Sequence, residues 1–129
     1  MKALVIDDQE DVRVVVCALL ERLGHEATSA RDGVEGLAAF QAGRPDIVLT
    51  DMLMPQAEGL ETIREIRKLG RPVTIVAMSG MQSPTFDLLK CAAQLGADHV
   101  LAKPFGLREL RALLECIAAG PAAPATAPH

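Results

Sequence analysis

Acidic residues crowd one short stretch near the N-terminus, VIDDQED, which places Asp7, Asp8, Glu10 and Asp11 directly after an apolar run. A second apolar run, DIVLTD, ends in Asp51. If these runs are neighbouring strands, their carboxylates meet, and two ionised carboxylates about 4 Å apart repel by roughly 4 kcal/mol at an effective dielectric constant of about 20. A hard divalent cation such as Mg²⁺ relieves this repulsion, because it takes carboxylate, carbonyl and water oxygens and leaves positions for phosphate oxygens. We therefore predict a magnesium site cradled by Asp7 and Asp8.

The same acids have a structural interpretation. An acidic side chain at the start of a helix accepts hydrogen bonds from free N–H groups and favours the positive end of the helix. We assign that role to Glu10 and Asp11, and the metal-binding role to Asp7 and Asp8.

Two further strand ends carry polar groups, namely Ser79 in AMSG and Lys103 in LAKPF. Alone, Ser79 fits a turn and Lys103 fits a solvated surface charge. Together with a carboxylate nucleophile and a metal ion, however, a hydroxyl and an ammonium group stabilise charge on a phosphoryl group during its transfer. The combination favours phosphoryl-transfer chemistry.

The elements that must position these groups alternate along the chain. Four short apolar segments predict strands buried on both faces, and HEATSA predicts a weaker fifth strand at a sheet edge. The four are KALVID, DIVLTD, PVTIVAMS and DHVLAK. Five other segments have helical spacing. Their apolar positions are Val12, Val15, Val16, Leu19, Leu20 and Leu23 in the first, which ends at Gly24; Val34, Leu37 and Ala38 in the second; Leu60, Ile63 and Ile66 in the third; Leu88, Leu89, Ala92 and Ala93 in the fourth; and Leu107, Leu110, Leu113, Leu114 and Ile117 in the fifth.

Strict alternation of five strands and five helices predicts an α/β fold, with a parallel sheet, right-handed crossovers and helices on both faces. In such doubly wound sheets the functional crevice lies beyond the carboxyl ends of the strands. All the candidate residues stand at predicted strand ends, so we expect them to meet at one crevice.

The composition restricts the class of protein. The chain has 129 residues, half of them hydrophobic, which suits one domain, and its net charge of -4 gives no reason to expect binding to nucleic acid or to a membrane. We recognise no signal peptide or membrane span, and Cys17, Cys91 and Cys116 lack metal-site spacing, so we expect a cytoplasmic protein with free thiols. Residues 120–129, GPAAPATAPH, predict a disordered Pro/Ala-rich tail.

Residues 1–119 resemble the receiver domain of two-component response regulators. The resemblance is carried by LVIDDQEDVR, PDIVLTDMLMP, GLE, AMSG, GADHVLAKPF and LREL, in that order. It implies a flavodoxin-like (βα)5 fold with a five-stranded parallel sheet of order 2-1-3-4-5. It also implies a signalling switch without a turnover substrate, phosphorylated by a sensor histidine kinase or histidine phosphotransfer protein, acting through a protein target as a monomer or weak dimer.

Carried onto this sequence, the resemblance makes Asp51 the phosphoacceptor. It gives Mg²⁺ four protein ligands, namely Asp7 (mainly through water), Asp8, Asp51 and the backbone carbonyl of Leu53. Ser79 would hydrogen-bond to one phosphoryl oxygen and Lys103 would pair with another. The peptide bond between Lys103 and Pro104 would be cis, an isomer that proline makes accessible.

Some positions qualify the resemblance. Val100 stands where the family commonly has Tyr or Phe, whose ring swings inward on phosphorylation; we therefore expect the signal to shift the fourth predicted helix and the loop before it. Leu53 and Met81 are apolar where side chains control water access, which predicts slow hydrolysis of the phosphoaspartate. Val14 is expected to be exposed beside the acids, either as an isolated surface residue or as part of a docking site for the kinase or phosphotransfer protein.

Other functions fit less well. A haloacid-dehalogenase-type phosphatase needs a second Asp two residues after the first, where this chain has Leu53. A nucleotide-binding module needs a glycine-rich phosphate cradle, but the turn after the first strand is acidic. No DNA-binding motif or basic stripe follows, so direct DNA binding is not expected. The alternative that stays open is a receiver-like interaction domain that phosphorylation does not regulate.

Overall fold

The computed structural model describes residues 1–52, 58–79 and 96–119, with residues 58–60 described by their backbone. These residues form five strands and four helices: β1 Lys2–Ile6, α1 Glu10–Arg22, β2 Glu26–Ala30, α2 Gly33–Gly43, β3 Ile47–Asp51, α3 Glu58–Lys68, β4 Thr74–Ser79, β5 His99–Ala102 and α4 Leu107–Ala118. Leu53, Met81, the helix predicted around residues 88–93 and the tail predicted at 120–129 lie outside the described residues. Among the helices described, none combines the length and the apolar character needed to cross a membrane.

The strands form one parallel sheet in the order β2-β1-β3-β4-β5. Its register places Ala3 opposite Ile47 and Ile47 opposite Thr74. The predicted fold class and strand order are therefore confirmed, as is the position of HEATSA at a sheet edge. Burial on both faces is confirmed for β1, β3 and β4. It is wrong for DHVLAK, because β5 is the opposite edge strand and its residues are half-buried or exposed.

The sheet divides the core into two layers. Alternate side chains of a strand point to opposite faces, so Leu4 and Ile6 join the layer that includes Phe40 of α2, whereas Ala3 and Val5 join the layer that includes Leu20 of α1. Full burial of an aliphatic side chain contributes roughly 1.5–3 kcal/mol. The two layers therefore hold β1 rigidly from both sides.

Three of the predicted helical stripes match the buried positions closely. Ile63 and Ile66 are buried in α3, and Leu110 and Leu114 are buried in α4. In α1, Val16 and Leu20 are buried, as predicted. Helix α1 ends just before Gly24, which adopts a positive φ of 92°. The prediction is wrong at Val15, which is 54% exposed.

The stripe predicted for α2 is confirmed at Leu37, which packs against the core layer that contains Phe40. It is wrong at Val34, which is 80% exposed, and at Ala38, which is also exposed. The buried positions of this helix are Gly33, Gly36 and Phe40. A Cβ added at Gly36 would lie 2.5 Å from Cδ1 of Ile6. Helix α2 therefore approaches β1 more closely than a side chain at this position permits.

Candidate functional site

Three strand ends bring acids and a lysine together. Asp7 follows β1, Asp51 ends β3, and Lys103 follows β5. One carboxylate oxygen from each of Asp7, Asp8 and Asp51 lies within 4.8 Å of the others. The ammonium nitrogen of Lys103 lies 3.0 Å from Oδ2 of Asp7 and 3.6 Å from Oδ2 of Asp51. Four of the residues singled out in the sequence thus form one cluster.

Ser79 lies at the adjacent strand end. It is the last residue of β4 and is buried, and its carbonyl accepts a hydrogen bond of 2.7 Å from the backbone N–H of Lys103. The Lys103–Pro104 peptide bond is cis, as the resemblance implies. Parallel pairing of β4 and β5 therefore sets the two residues side by side at the crevice.

Asp7 is held firmly in the cluster by burial and hydrogen bonds. It is fully buried, and each of its polar atoms has a partner. In the side chain, Oδ1 accepts from the backbone N–H of Gln9 and Oδ2 accepts from Lys103, both at 3.0 Å. In the backbone, the N–H of Asp7 donates to the carbonyl of Ala30 at 3.1 Å, and its carbonyl accepts from Nη1 of Arg13 at 2.8 Å. Asp8, by contrast, is exposed. Asp7 and Asp8 are therefore adjacent in sequence but differ in burial.

The acids on the following helix match the structural role assigned to them. Glu10 and Asp11 lie in the first turn of α1, whose N-cap residue is Gln9. Carboxylates in the first turn favour the positive end of the helix dipole. The Gln9 side chain makes no capping hydrogen bond, and its backbone N–H is bound by Asp7 instead.

The donor set suits a hard divalent cation. Three carboxyl groups meet at the cluster beside one ammonium group, and oxygen ligands of this kind are those that Mg²⁺ prefers. The residues present therefore fit the implied metal. The fourth implied ligand, the carbonyl of Leu53, lies outside the described part of the chain.

An open pocket of about 610 Å³ lies against the cluster. Its polar end is formed by Asp8, Asp51 and Lys103, and its apolar side includes Val15 and Phe105. The exposure of Val15, which helical periodicity alone did not predict, is thus explained by its place at the pocket.

Sequence reasoning missed Arg13. Its hydrogen bond runs from a side chain to the backbone carbonyl six residues earlier. Periodicity and residue type do not distinguish such an arginine from one in solvent.

Residues 3–115 match the family model described as response regulator receiver domain. The chain belongs to this family. Receiver domains are signalling domains of two-component response regulators rather than classical enzymes.

Curated relatives support the assignment. Response regulator MprA of Mycobacterium avium (strain 104) is 35% identical over 117 residues, which cover 91% of this chain and 50% of that protein. The alkaline phosphatase synthesis transcriptional regulatory protein PhoP of Bacillus subtilis (strain 168) is 32% identical over 118 residues, covering 90% of this chain and 48% of that protein. The chain therefore spans about half the length of the curated relatives it matches.

Solved structures show the same fold. Chemotaxis protein CheY4 of Vibrio cholerae superposes with a TM-score of 0.82 at 30% identity, covering 90% of this chain and 97% of that one. The receiver domain of the Francisella response regulator 1452 gives a TM-score of 0.79 at 26% identity, covering 92% and 96% of the two chains.

Proposed function

We propose that this receiver domain is a phosphorylation-dependent switch in which Asp51 accepts a phosphoryl group from the phosphohistidine of a sensor histidine kinase or a histidine phosphotransfer protein. The observation that supports this most directly is the place of Asp51 in the cluster. Its carboxylate reaches the end of an open pocket, within 4.8 Å of two other carboxylates and 3.6 Å from the Lys103 ammonium.

In the proposed transfer, a carboxylate oxygen of Asp51 forms a bond to phosphorus while the P–N bond of the donor breaks. The imidazole leaves with the electron pair of that bond and takes a proton from solvent. Lys103 is close enough to Asp51 to pair with an oxygen of the incoming phosphoryl group, and the Ser79 hydroxyl would hydrogen-bond to another. Both interactions offset charge that builds up during transfer.

Asp7, Asp8 and Asp51, with the Leu53 carbonyl, would hold Mg²⁺. When bound, the ion would supply positive charge to the phosphoryl oxygens. Asp7 is already paired with Lys103 at 3.0 Å, which is in keeping with its expected role of holding the ion mainly through water.

The decisive experiment is incubation of the chain with acetyl phosphate, with and without Mg²⁺, followed by intact-mass measurement. We expect a Mg²⁺-dependent phosphoryl adduct on the native chain and none on Asp51→Asn. Asp46→Asn is the matched control, because it makes the same change just before β3, where Asp46 accepts a hydrogen bond from the Lys2 backbone N–H at 2.8 Å. A native chain that stays unmodified would favour the interaction domain that phosphorylation does not regulate. An adduct that survives in Asp51→Asn would show instead that another residue accepts the phosphoryl group.

The proposed phosphodonor docks on the start of α1. Val14 is 62% exposed there, as the sequence predicted, and Val15 beside it is 54% exposed. We expect Val14→Glu to slow transfer from the kinase that phosphorylates the native chain, without changing labelling by acetyl phosphate. Val34→Glu on α2, at a residue that is 80% exposed, is the control. Equal rates of kinase transfer to the native chain and to Val14→Glu would exclude this docking site.

The lifetime and the output of the switch remain predictions. Val100 lies half-buried in β5 and packs against the core layer that contains Ile75 and Ala77. A valine has no aromatic ring to turn inward, so we expect the signal to shift the fourth predicted helix and the loop before it. Slow hydrolysis, attributed to Leu53 and Met81, is tested by following decay of the adduct in Mg²⁺, and decay within seconds would contradict it.

The cytoplasmic location, the absence of direct DNA contact and the division into a receiver at 1–119 and a tail at 120–129 also stay predictions.

A further inference from the structure

Arg13 binds the peptide unit that joins the two adjacent acids. It lies in the first half of α1, half-buried, and its Nη1 donates to the backbone carbonyl of Asp7 at 2.8 Å. That carbonyl and the Cα of Asp8 belong to the same planar peptide unit. Holding the oxygen therefore sets the direction in which the chain leaves Asp7, and with it the position of Asp8.

The two acids depend on this bond to different degrees. The side chain of Asp7 is buried and is held by Lys103 at 3.0 Å and by the backbone N–H of Gln9 at 3.0 Å. Asp8 is exposed, yet its carboxylate lies within 4.8 Å of those of Asp7 and Asp51. The orientation of the backbone that carries Asp8 therefore matters most for its place in the cluster.

We propose that Arg13 is a positioning residue for the metal site, which keeps the Asp8 carboxylate turned toward Asp7 and Asp51. This inference rests on the proposed Mg²⁺-dependent function. Electrostatics alone predicts the opposite effect, because a guanidinium near an anionic cluster disfavours a second cation. Removal of Arg13 thus weakens Mg²⁺ binding if positioning dominates and strengthens it if charge dominates.

The test is the Mg²⁺ affinity of the unphosphorylated full chain, measured by isothermal titration calorimetry. The sequence contains no Trp or Tyr, so calorimetry replaces quenching of intrinsic fluorescence. We expect Arg13→Met to raise the Kd for Mg²⁺ about tenfold, the lower end of the effect usual for residues that orient metal ligands. Arg13→Lys keeps the charge, and we expect it to weaken binding as well, because the planar guanidinium fork is lost.

Arg22→Met is the matched control. It removes the same charge from the last turn of the same helix, nine residues and about 13 Å further along the axis, and its Kd should match that of the native chain. Circular dichroism checks that each variant is folded, and Arg13→Lys decides the question if Arg13→Met does not fold.

The outcomes separate the two proposals. A native chain that binds no Mg²⁺ would overturn the proposed metal site together with this inference. Native binding accompanied by an unchanged or lower Kd in both Arg13 variants would overturn the positioning role alone. Weaker binding in both variants, with Arg22→Met unchanged, supports it.

Discussion

Replacement of Gly36 by alanine should destabilise the fold, although alanine is the better helix former. The substitution gains about 0.5–1 kcal/mol from the lower entropy of the unfolded chain. The new Cβ, however, would lie 2.5 Å from Cδ1 and 3.0 Å from Cγ1 of Ile6. Ile6 is fully buried in a packed layer, so the contact cannot be relieved by a simple rotation of a free side chain. Overpacking of this kind costs about 1–3 kcal/mol, so subtracting the gain leaves a net loss of about 0–2.5 kcal/mol, centred on about 1.3 kcal/mol.

Gly43→Ala is the paired variant in the same helix. A Cβ at Gly43 would have nothing within 4 Å, so the propensity gain should appear without a steric penalty. Because Gly43 is the last residue of α2, we expect a gain of about 0.5 kcal/mol. The two variants should therefore differ by about 2 kcal/mol.

Urea unfolding followed by circular dichroism measures this difference. With a slope of about 2 kcal/mol per molar urea, the two midpoints should lie about 1 M apart, with that of Gly36→Ala the lower. A Gly36→Ala protein as stable as Gly43→Ala would refute the close approach of α2 to β1. The contact matters for function as well, since Ile6 directly precedes Asp7.

Three further predictions concern groups away from the cluster. Arg67→Ala should lose about 1–3 kcal/mol of stability in urea, because its guanidinium donates three hydrogen bonds of 2.7–2.9 Å to the segments that precede β4 and β5. Burial raises the pKa of the Cys17 thiol, so iodoacetamide should alkylate it more slowly than the exposed Cys116 in peptide mapping. The backbone N–H of Gly106 donates a hydrogen bond to the Glu109 carboxylate and lowers the pKa of Glu109 below its ordinary value of 4.5. The bond therefore stabilises the fold above pH 4.5, and this stabilisation is lost as the pH falls through the lower pKa of the folded state. The difference in stability between the native chain and Glu109→Gln should shrink in acid.

The sheet and the meeting of the Asp7 and Asp51 carboxylates at its edge were predictable, because strands that are buried on both faces leave continuous apolar runs. The run before Asp7 and the run that ends in Asp51 are both of this kind. Parallel topology then carries the ends of such runs to one edge, so the cluster follows from chain order without any knowledge of distances.

Helix α2 shows where periodicity fails. A periodic pattern scores apolar side chains, so it selected Val34 and passed over Gly33 and Gly36. The helix packs through those glycines because they let its backbone approach β1. Hydropathy is a property of side chains, so a hydropathy pattern does not register this close backbone contact. The same limit applies to Arg67, whose partners lie up to 31 residues away in the chain.

The sequence did not predict that Asp7 is buried and Asp8 exposed, and this difference gives the two acids different roles in the proposed site. A fully buried carboxylate is tolerated when it is paired and hydrogen-bonded, and Asp7 meets that condition through Lys103 and the Gln9 backbone before any metal binds. Loss of its charge would leave the largely buried Lys103 ammonium with the more distant Asp51 as its acidic neighbour, at 3.6 Å. Asp8 is exposed, so under the proposed function it would exchange water for a metal ion at little cost to the fold. If the proposed function holds, Asp7 would therefore act mainly on the geometry of the site, and Asp8 would be the acid that binds and releases the metal ion.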